Sequence, residues 1–483
     1  MPALTSILLA PVAGLVLILL TPGRCQTLIK LIALAAASVT VVLSLWLCAH
    51  FDASNPTLQF VERVEWVASY GIHYTMGVDG LNLSMILLTS IVIFCGILVS
   101  WPVTFRVKDF FANMLFLVSG VFGVFMTTNL FFFFLFYEVA VIPMYLLIVI
   151  WGSTNKQYAA MKLTLYLLLG RALMFAGFLY MYSLPGSHTF DLVHIKQHVA
   201  FSAGQQNVLF AALFLGFGVL AACFPFHVWS PDGHVAAPTA ASMLHAGVLM
   251  KLGAYGILRV AVYLLPEGAR HWAYTVAVLS LCNIVYGAMV ATQQKDLKYI
   301  IGYSSVSHMG IVLLGIATLT PVGVNGALFQ MFSHGLMTAL FFACVGHIYD
   351  QCHTRMLDDL GGLSKQAPRI SAFFIIAGLC GLGLPGMGSF VAELLVTIAA
   401  LSAYPVIGIA SITALLVTAY YVLTAVQKTF YGPVSEKSSH GHDIGLFQSF
   451  PRAVLVGTLI YFGVFPQIFI GWVSTSVKAL LGV

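Results

Sequence analysis

Long apolar runs separated by short polar segments occupy the chain from end to end. A helix needs roughly 20 apolar residues to cross a bilayer. By that measure fourteen spans are predicted, near 3–21, 27–49, 80–102, 110–128, 130–151, 158–183, 206–229, 239–264, 271–292, 299–319, 323–349, 370–403, 405–430 and 453–475. Two of the runs are interrupted. Leu209–Trp229, followed by the polar SPDGHVAAPT, holds Pro225, and Ile370–Leu401 holds Pro385 within a cluster of glycines. In lipid every backbone N–H and C=O must find a partner, so a break is tolerated only where protein or a water-filled cavity surrounds it. One such break reads equally well as a proline kink. Two, at matching places in the two halves and each near an intramembrane charge, point to a transport site at mid-membrane.

Two connecting segments are longer and amphipathic. Phe51–Asp79 alternates Val, Trp and Tyr with polar residues and predicts a short hairpin on the surface; His188–Ala203 is the other. Gly432–Gln448 is a polar connector. The first twenty residues could pass for a signal peptide, but Pro22-Gly23-Arg24 and a second apolar run follow, so they are read as the first span.

Composition agrees with this pattern. The 483 residues are 60% hydrophobic and 8% charged, against about a quarter charged in soluble domains. The class is an all-α polytopic membrane protein. Lys and Arg give the orientation. Loops after even-numbered spans, with the C-terminal tail, hold only Arg63, Lys196, Arg270 and Lys478; thirteen of the other seventeen lie after odd-numbered spans. Both termini are therefore expected outside, with the SPDGH loop and the 350–369 loop in the cytoplasm. The net charge of +5 arises from those loops and implies no nucleic acid. The eight cysteines are scattered without metal or iron–sulfur spacing.

Some charges remain inside spans: Glu138, Arg171, Lys251, Arg259 and Glu393, with Lys162 near a span end. Each costs at least about 2.5–3.5 kcal/mol at mid-membrane, so each is a functional candidate. Glu138 is surrounded by aromatic and aliphatic residues in LFFFFLFYEVAVIPMYLL, where a lone carboxylate needs a cation beside it. Lys251 lies in LHAGVLMKLGAYG, and Glu393 follows the second break by eight residues. Such groups, linked by water, would suit a proton path. A static ion pair is the competing reading, strongest for Arg171 and Arg259, which could pair or snorkel. His227, His234, His245, His308, His334 and His347 lie in or beside the later spans. His245 and His334 sit inside apolar helices and are relay candidates; His234 is expected in a loop; His308 follows hydroxyls in GYSSVSHMG that could share in a wire. For any one of them a satisfied core hydrogen bond is an equal alternative, and metal ligation is not expected.

Phe224–Arg259 (FPFHVWSPDGHVAAPTAASMLHAGVLMKLGAYGILR), Lys295–Gly310, Ser333–Arg355 and GLPGMGSFVAEL (Gly383–Leu394) resemble the signature of the antiporter-like subunits of respiratory complex I. Leu130–Gly152 resembles the fifth helix of the branch that includes subunit M of bacterial NADH:quinone oxidoreductase. The similarity covers nearly the whole chain. It implies fourteen helices with two inverted five-helix repeats, each containing one broken helix: 106–265 and 266–430. An N-terminal region with the hairpin, 1–105, precedes them, and a connector and last helix follow in 431–483. The resemblance also implies roles. Glu138 matches the fifth-helix glutamate that couples neighbouring channels, Lys251 the eighth-helix lysine on a central wet axis, His334 the eleventh-helix histidine on that axis, and Glu393 the twelfth-helix carboxylate near the exit. It further implies no redox cofactor in this chain, the bacterial inner membrane as location, and other membrane-arm subunits as partners, with quinone and electron transfer elsewhere in the complex.

One departure stands out. The seventh helix of that family carries a lysine that pairs with the fifth-helix glutamate; here the place is Leu220, and no Lys occurs between Lys196 and Lys251. Arg171 or a protonated His245 could substitute, and His227 and His308 are further possible charge partners. His245 in a proton-storage role is one hypothesis, which wild-type pumping by His245→Ala would end. Two other function classes compete with a proton-translocating subunit of NADH:quinone oxidoreductase. One is a subunit of a Mrp-type Na⁺/H⁺ antiporter or membrane-bound hydrogenase. The other is a spacer with a dead channel, which retention of Glu138, Lys251 and Glu393 argues against.

Overall fold

The computed structural model describes residues 2–483. Among these, twelve helices are long and apolar enough to cross a membrane, and three shorter apolar helices join them. The hairpin forms as expected. Strand β1 (Gln59–Val67) pairs antiparallel with β2 (Ile72–Val78), with Val67 opposite Ile72 at the turn and Gln59 opposite Val78 at the open end.

Two helices precede the hairpin, α1 (Ala3–Leu20) and α2 (Gln26–His50), and α3 (Leu83–Val99) follows it. α1 has no side-chain cap of its own. Glu62 of the hairpin supplies one, accepting from the backbone N–H groups of Leu4 at 2.8 Å and Thr5 at 2.9 Å. A carboxylate there also opposes the positive end of the helix dipole. The chain ends on this same side, where the backbone N–H of Gly80 donates to Ser476 Oγ at 2.9 Å. The bundle thus has a hairpin side, holding both ends, and a connector side.

From there the helices alternate. α4 (Val107–Met126) runs towards the hairpin side, α5 (Leu130–Trp151) away from it and α6 (Lys156–Ser183) back. A short α7 (Leu192–His198), capped by Asp191, fills the second amphipathic segment. The seventh span is α8 (Ala203–Leu220) and α9 (Trp229–Ala236), and the eighth is α10 (Thr239–Val262). The following five spans repeat the order upside down. They are α11 (Pro266–Gln293), α12 (Leu297–Ala317), α13 (Pro321–Cys352), the broken pair α14 (Pro368–Gly381) with α15 (Gly388–Ala403), and α16 (Pro405–Phe430). In the first unit the break is approached from the hairpin side, in the second from the connector side. This inversion puts the two interruptions at similar depth.

α4, α10, α12 and α13 are almost wholly enclosed. The outer helices expose Leu17, Val42, Leu165 and Leu416, a surface that suits lipid or a neighbouring subunit and not water.

Three features differ from the sequence expectations. The seventh span does not end at Trp229: its break covers 221–228, and SPDGH belongs to helix α9, not to a loop. The last span is longer than 453–475 and is divided into α17 (Leu446–Val464) and α18 (Pro466–Leu481), because Pro466 has no N–H to continue the ladder. Finally, α10 contains two π-helical stretches, His245–Leu249 and Ile257–Val262.

Candidate functional site

The first break is held open by polar groups from the other unit. Asn283 on α11 accepts from the backbone N–H of Phe224 and donates from Nδ2 to the carbonyls of Ala222 at 2.8 Å and Val306 at 3.2 Å. Trp229 Nε1 donates to the Val219 carbonyl at 2.9 Å. The interruption at Pro225 therefore leaves its backbone satisfied by protein, as the membrane interior requires. The second break, around Pro385, relies on glycine. Gly383 and Gly386 both take positive φ, and a Cβ on Gly383 would run into the carboxylate of Glu393.

Glu138 on α5 is paired with Arg171 on α6. Both side chains are partly buried, and Glu138 Oε1 is buried without a hydrogen-bond partner among the described residues. Leu220, at the position where the resemblance calls for lysine, is a buried apolar residue. The counter-charge of Glu138 is thus Arg171 and not His245.

His245 lies in the first π turn, a rare winding that recurs at functional sites. Its ring lies 4.2 Å from that of His234 and 5.3 Å from that of Trp229, and neither ring nitrogen has a protein partner among the described residues. His234, expected in a loop, is fully buried on α9, with Nε2 3.1 Å from Ser230 Oγ. His227 packs against Phe224 and Tyr286 and makes no ion pair among the described residues, so it is not the charge partner of Glu138. His347 turns to the connector, with Nε2 2.9 Å from the His442 carbonyl. Lys162 is tied to Asp232 of α9 at 2.7 Å, and Tyr299 donates to the same carboxylate at 2.9 Å.

A line of titratable side chains begins at Lys251. Its Nζ donates to the Ala246 carbonyl within the π turn and lies 2.7 Å from His334 Nδ1 on α13. The rings of His334 and His308 are stacked 5.2 Å apart. His308 on α12 holds Nδ1 2.8 Å from the Ser304 carbonyl, and its Nε2 lies 3.7 Å from Glu393 Oε1. Gln330 Nε2 donates to the same carboxylate oxygen at 3.4 Å. Tyr421 donates to Ser304 Oγ at 2.8 Å, which lies 3.3 Å from His308 Nδ1. Of the hydroxyls beside His308 only Ser304 joins it; Ser305 and Ser307 donate to the carbonyls of Ile301 at 3.0 Å and Ile284 at 2.9 Å. His334 Nε2, Gln330 Oε1 and Ser333 Oγ are buried along this line without protein partners among the described residues. Buried polar atoms are nearly always satisfied, and water is the partner such a polar seam admits.

The structure thus joins Lys251, His334, His308 and Glu393, sets the Glu138–Arg171 pair in the first unit, and places His245 with His234. Ser304 belongs to the hydroxyl run that the sequence already points to, whereas Asn283, Gln330 and Tyr421 carry neither a charge nor an imidazole and lie outside that run. A neutral amide inside an apolar run, as at Asn283 and Gln330, is the signal that could have found them.

Residues 127–418 match the family described as NADH:quinone oxidoreductase/Mrp antiporter, TM. NADH-quinone oxidoreductase subunit M of Rickettsia conorii is 37% identical over 458 residues, 93% of this chain and 92% of the relative. Subunit M of Rhodobacter capsulatus is 37% identical over 463 residues, 94% of this chain and 90% of the relative. A chain of respiratory complex I from Thermus thermophilus with bound NADH superposes with a TM-score of 0.91 at 28% identity, covering 100% of both chains. A chain of the Mrp complex from Dietzia sp. DQ12-45-1b shares the fold, with a TM-score of 0.82 at 20% identity over 99% of this chain and 96% of that one. The chain belongs to the NADH:quinone oxidoreductase/Mrp antiporter transmembrane family, in the branch formed by subunit M.

Proposed function

We propose that this chain moves protons across a bacterial inner membrane as a membrane-arm subunit of an NADH:quinone oxidoreductase. The observation that carries the reading is the line Lys251–His334–His308–Glu393. It starts in the first unit, crosses to the second at a 2.7 Å contact and ends beside the second break. Every member can take and release a proton, and the orphaned polar atoms between them leave places for water. No organic substrate is needed to explain such an arrangement.

In this reading Lys251 holds a proton and passes it to His334 Nδ1 while His334 releases its Nε2 proton to water. His308 and Glu393 complete the passage, and Gln330 orients the carboxylate. Glu138 with Arg171 senses the state of a neighbouring subunit, Arg171 taking the role that lysine at position 220 would have had. His245 and His234 lie on the approach to Lys251, and storage of a proton at His245 belongs to the same proposal. The hairpin side faces the periplasm, as the Lys and Arg distribution favours. Electron transfer and quinone belong to partner subunits, and this chain carries no redox group.

Proton pumping by the intact complex in proteoliposomes tests this. With Lys251→Ala or Glu393→Gln, pumping linked to quinone reduction should fall by at least roughly tenfold, since positioned proton-transfer groups contribute 10²–10⁴-fold. Wild-type pumping by both variants in assembled complexes would sink the reading.

A further inference from the structure

The hairpin-side end of Lys251's helix carries a second charge pair, which the proton line does not use. Arg259 donates from Nη2 to Asp79 Oδ1 at 2.6 Å, with side chains 6% and 8% exposed. Arg259 Nε donates to the Tyr255 hydroxyl at 2.9 Å, and that hydroxyl donates to the Phe125 carbonyl at 2.9 Å. Asp79 is fixed in turn: its Oδ1 accepts from the backbone N–H of Leu81 at 3.0 Å, and its own N–H donates to Asn82 Oδ1 at 2.9 Å. Asn82 Nδ2 then reaches the same Phe125 carbonyl at 2.7 Å. Four segments (the end of the hairpin, α3, α4 and α10) are locked around one guanidinium.

Both charges line a cavity of about 430 Å³ on the hairpin side, together with Tyr263, Thr128, Gln197 and Ser476. Lys251 lies eight residues earlier on the same helix, roughly 12 Å along its axis. Its ammonium points the other way, to Ala246. Phe125 packs edge-on against Tyr255, and Phe217 fills the space beside Gly253 and Gly256. Arg259 is the residue of α10 nearest to Lys251 that lines the cavity, so the cavity stops about two turns short of the lysine, with the charge pair as its floor.

An apolar floor would be at least as stable, because buried ion pairs rarely stabilise more than hydrophobic residues of similar volume. What Arg259 adds within the pair is a cation that cannot be discharged: guanidinium does not lose its proton in proteins. Such a charge in a narrow wet constriction repels protons and other cations. We propose that Arg259 is an electrostatic seal that stops protons in the hairpin-side cavity from flowing back to Lys251, with Asp79 as its counter-charge and Tyr255 as its positioning residue. The inference rests on the reading above, in that Lys251 carries protons and the hairpin side is the side to which they are pumped.

The seal predicts an effect of charge sign that a structural role does not. The test is passive leak, followed with a pH-sensitive dye after an acid jump on the hairpin side of proteoliposomes. They hold the intact complex without NADH, with the potential clamped by potassium and valinomycin. Arg259→Gln leaves a carboxylate at the floor and should raise the leak at least roughly tenfold. Asp79→Asn and Arg259→Lys keep the cation and should stay near wild type. Lys251→Ala added to Arg259→Gln should bring the leak back down. If Arg259→Gln fails to assemble, the neutral double variant Arg259→Gln/Asp79→Asn relieves the orphaned carboxylate and should still leak. An assembled Arg259→Gln or double variant as tight as wild type overturns the seal, and so does Asp79→Asn leaking as much as Arg259→Gln. Lys251→Ala alone keeps the two readings apart. If it pumps normally, the proposed function has failed; if it is inactive while Arg259→Gln is tight, only the seal has failed.

Discussion

Glu138 shows how a charge survives among phenylalanines. Its helix offers no partner, and the cation arrives from Arg171, 33 residues later on the neighbouring helix. The sequence displayed both residues and their cost, but not their contact, and left Arg171 as open to snorkelling as to pairing. Arg171→Ala should strand the carboxylate and lower quinone-linked turnover roughly tenfold, the equivalent of about 1.4 kcal/mol in a barrier. Arg171→Lys, which keeps a cation within reach, should retain most of it. Equal turnover in Arg171→Ala and wild type would mean that the pair is only a membrane filler. At the second break the decisive residue has no side chain. Gly383 holds φ of +66° against the Glu393 carboxylate, so Gly383→Ala meets both backbone strain and a collision. A cost of about 1–3 kcal/mol is expected, read as a lower melting temperature of the purified complex and partial loss of pumping. An unchanged melting temperature would show that the break can relax around a methyl group.

Among the elements, composition revealed the spans and the two prolines marked the breaks, because apolar length and missing N–H groups are written into residue type. Three things stayed hidden for physical reasons. α9 is eight residues long and contains Pro231, Asp232 and Gly233, so nothing in its composition says helix. Its fold depends on partners elsewhere: Lys162 and Tyr299 hold Asp232, and Lys298 Nζ donates to the Ala237 carbonyl just past its C-terminus at 2.7 Å. The cation there also opposes the negative end of the helix dipole. The π stretches of α10 leave no trace in hydrophobic pattern, since they change winding and not which residues are buried. And the first break is completed by Asn283, on a helix that begins 41 residues after Pro225. Asn283→Leu should orphan the Phe224 N–H and the Ala222 carbonyl in an apolar setting. Each such group costs about 1–3 kcal/mol, so the complex should assemble poorly or melt at markedly lower temperature. Asn283→Gln should recover less than half of the loss, because the longer amide cannot reach both groups at once. Normal assembly of Asn283→Leu would show that another donor can enter the break.

At the scale of the molecule, the two inverted units matter less singly than where they touch. The first unit contributes Lys251 and the second contributes His334, His308 and Glu393, so the proposed proton line exists only because α10 and α13 pack together. The individual residues of that line were legible as costly or titratable groups in apolar runs. Their order was not, because Lys251 and His334 are 83 residues apart and only the fold brings them to 2.7 Å. The same holds for the seal proposed at Arg259, whose partner Asp79 is 180 residues away. His334 is the place to test whether contact between units is a conduit or merely packing. Its Nδ1 lies 2.7 Å from Lys251 Nζ, and its Nε2 faces the partnerless polar seam. His334→Gln retains an acceptor for the Lys251 ammonium but cannot take a proton at one atom and release one at another. Assembly should therefore survive, seen as an intact complex on native gels, while pumping falls at least roughly tenfold. His334→Leu removes the acceptor as well and leaves Lys251 with only the Ala246 carbonyl, so it should lose assembly in addition to pumping. If His334→Gln pumps with the wild-type ratio of protons to electrons, the histidine is a spacer, and protons must cross between the units by water alone.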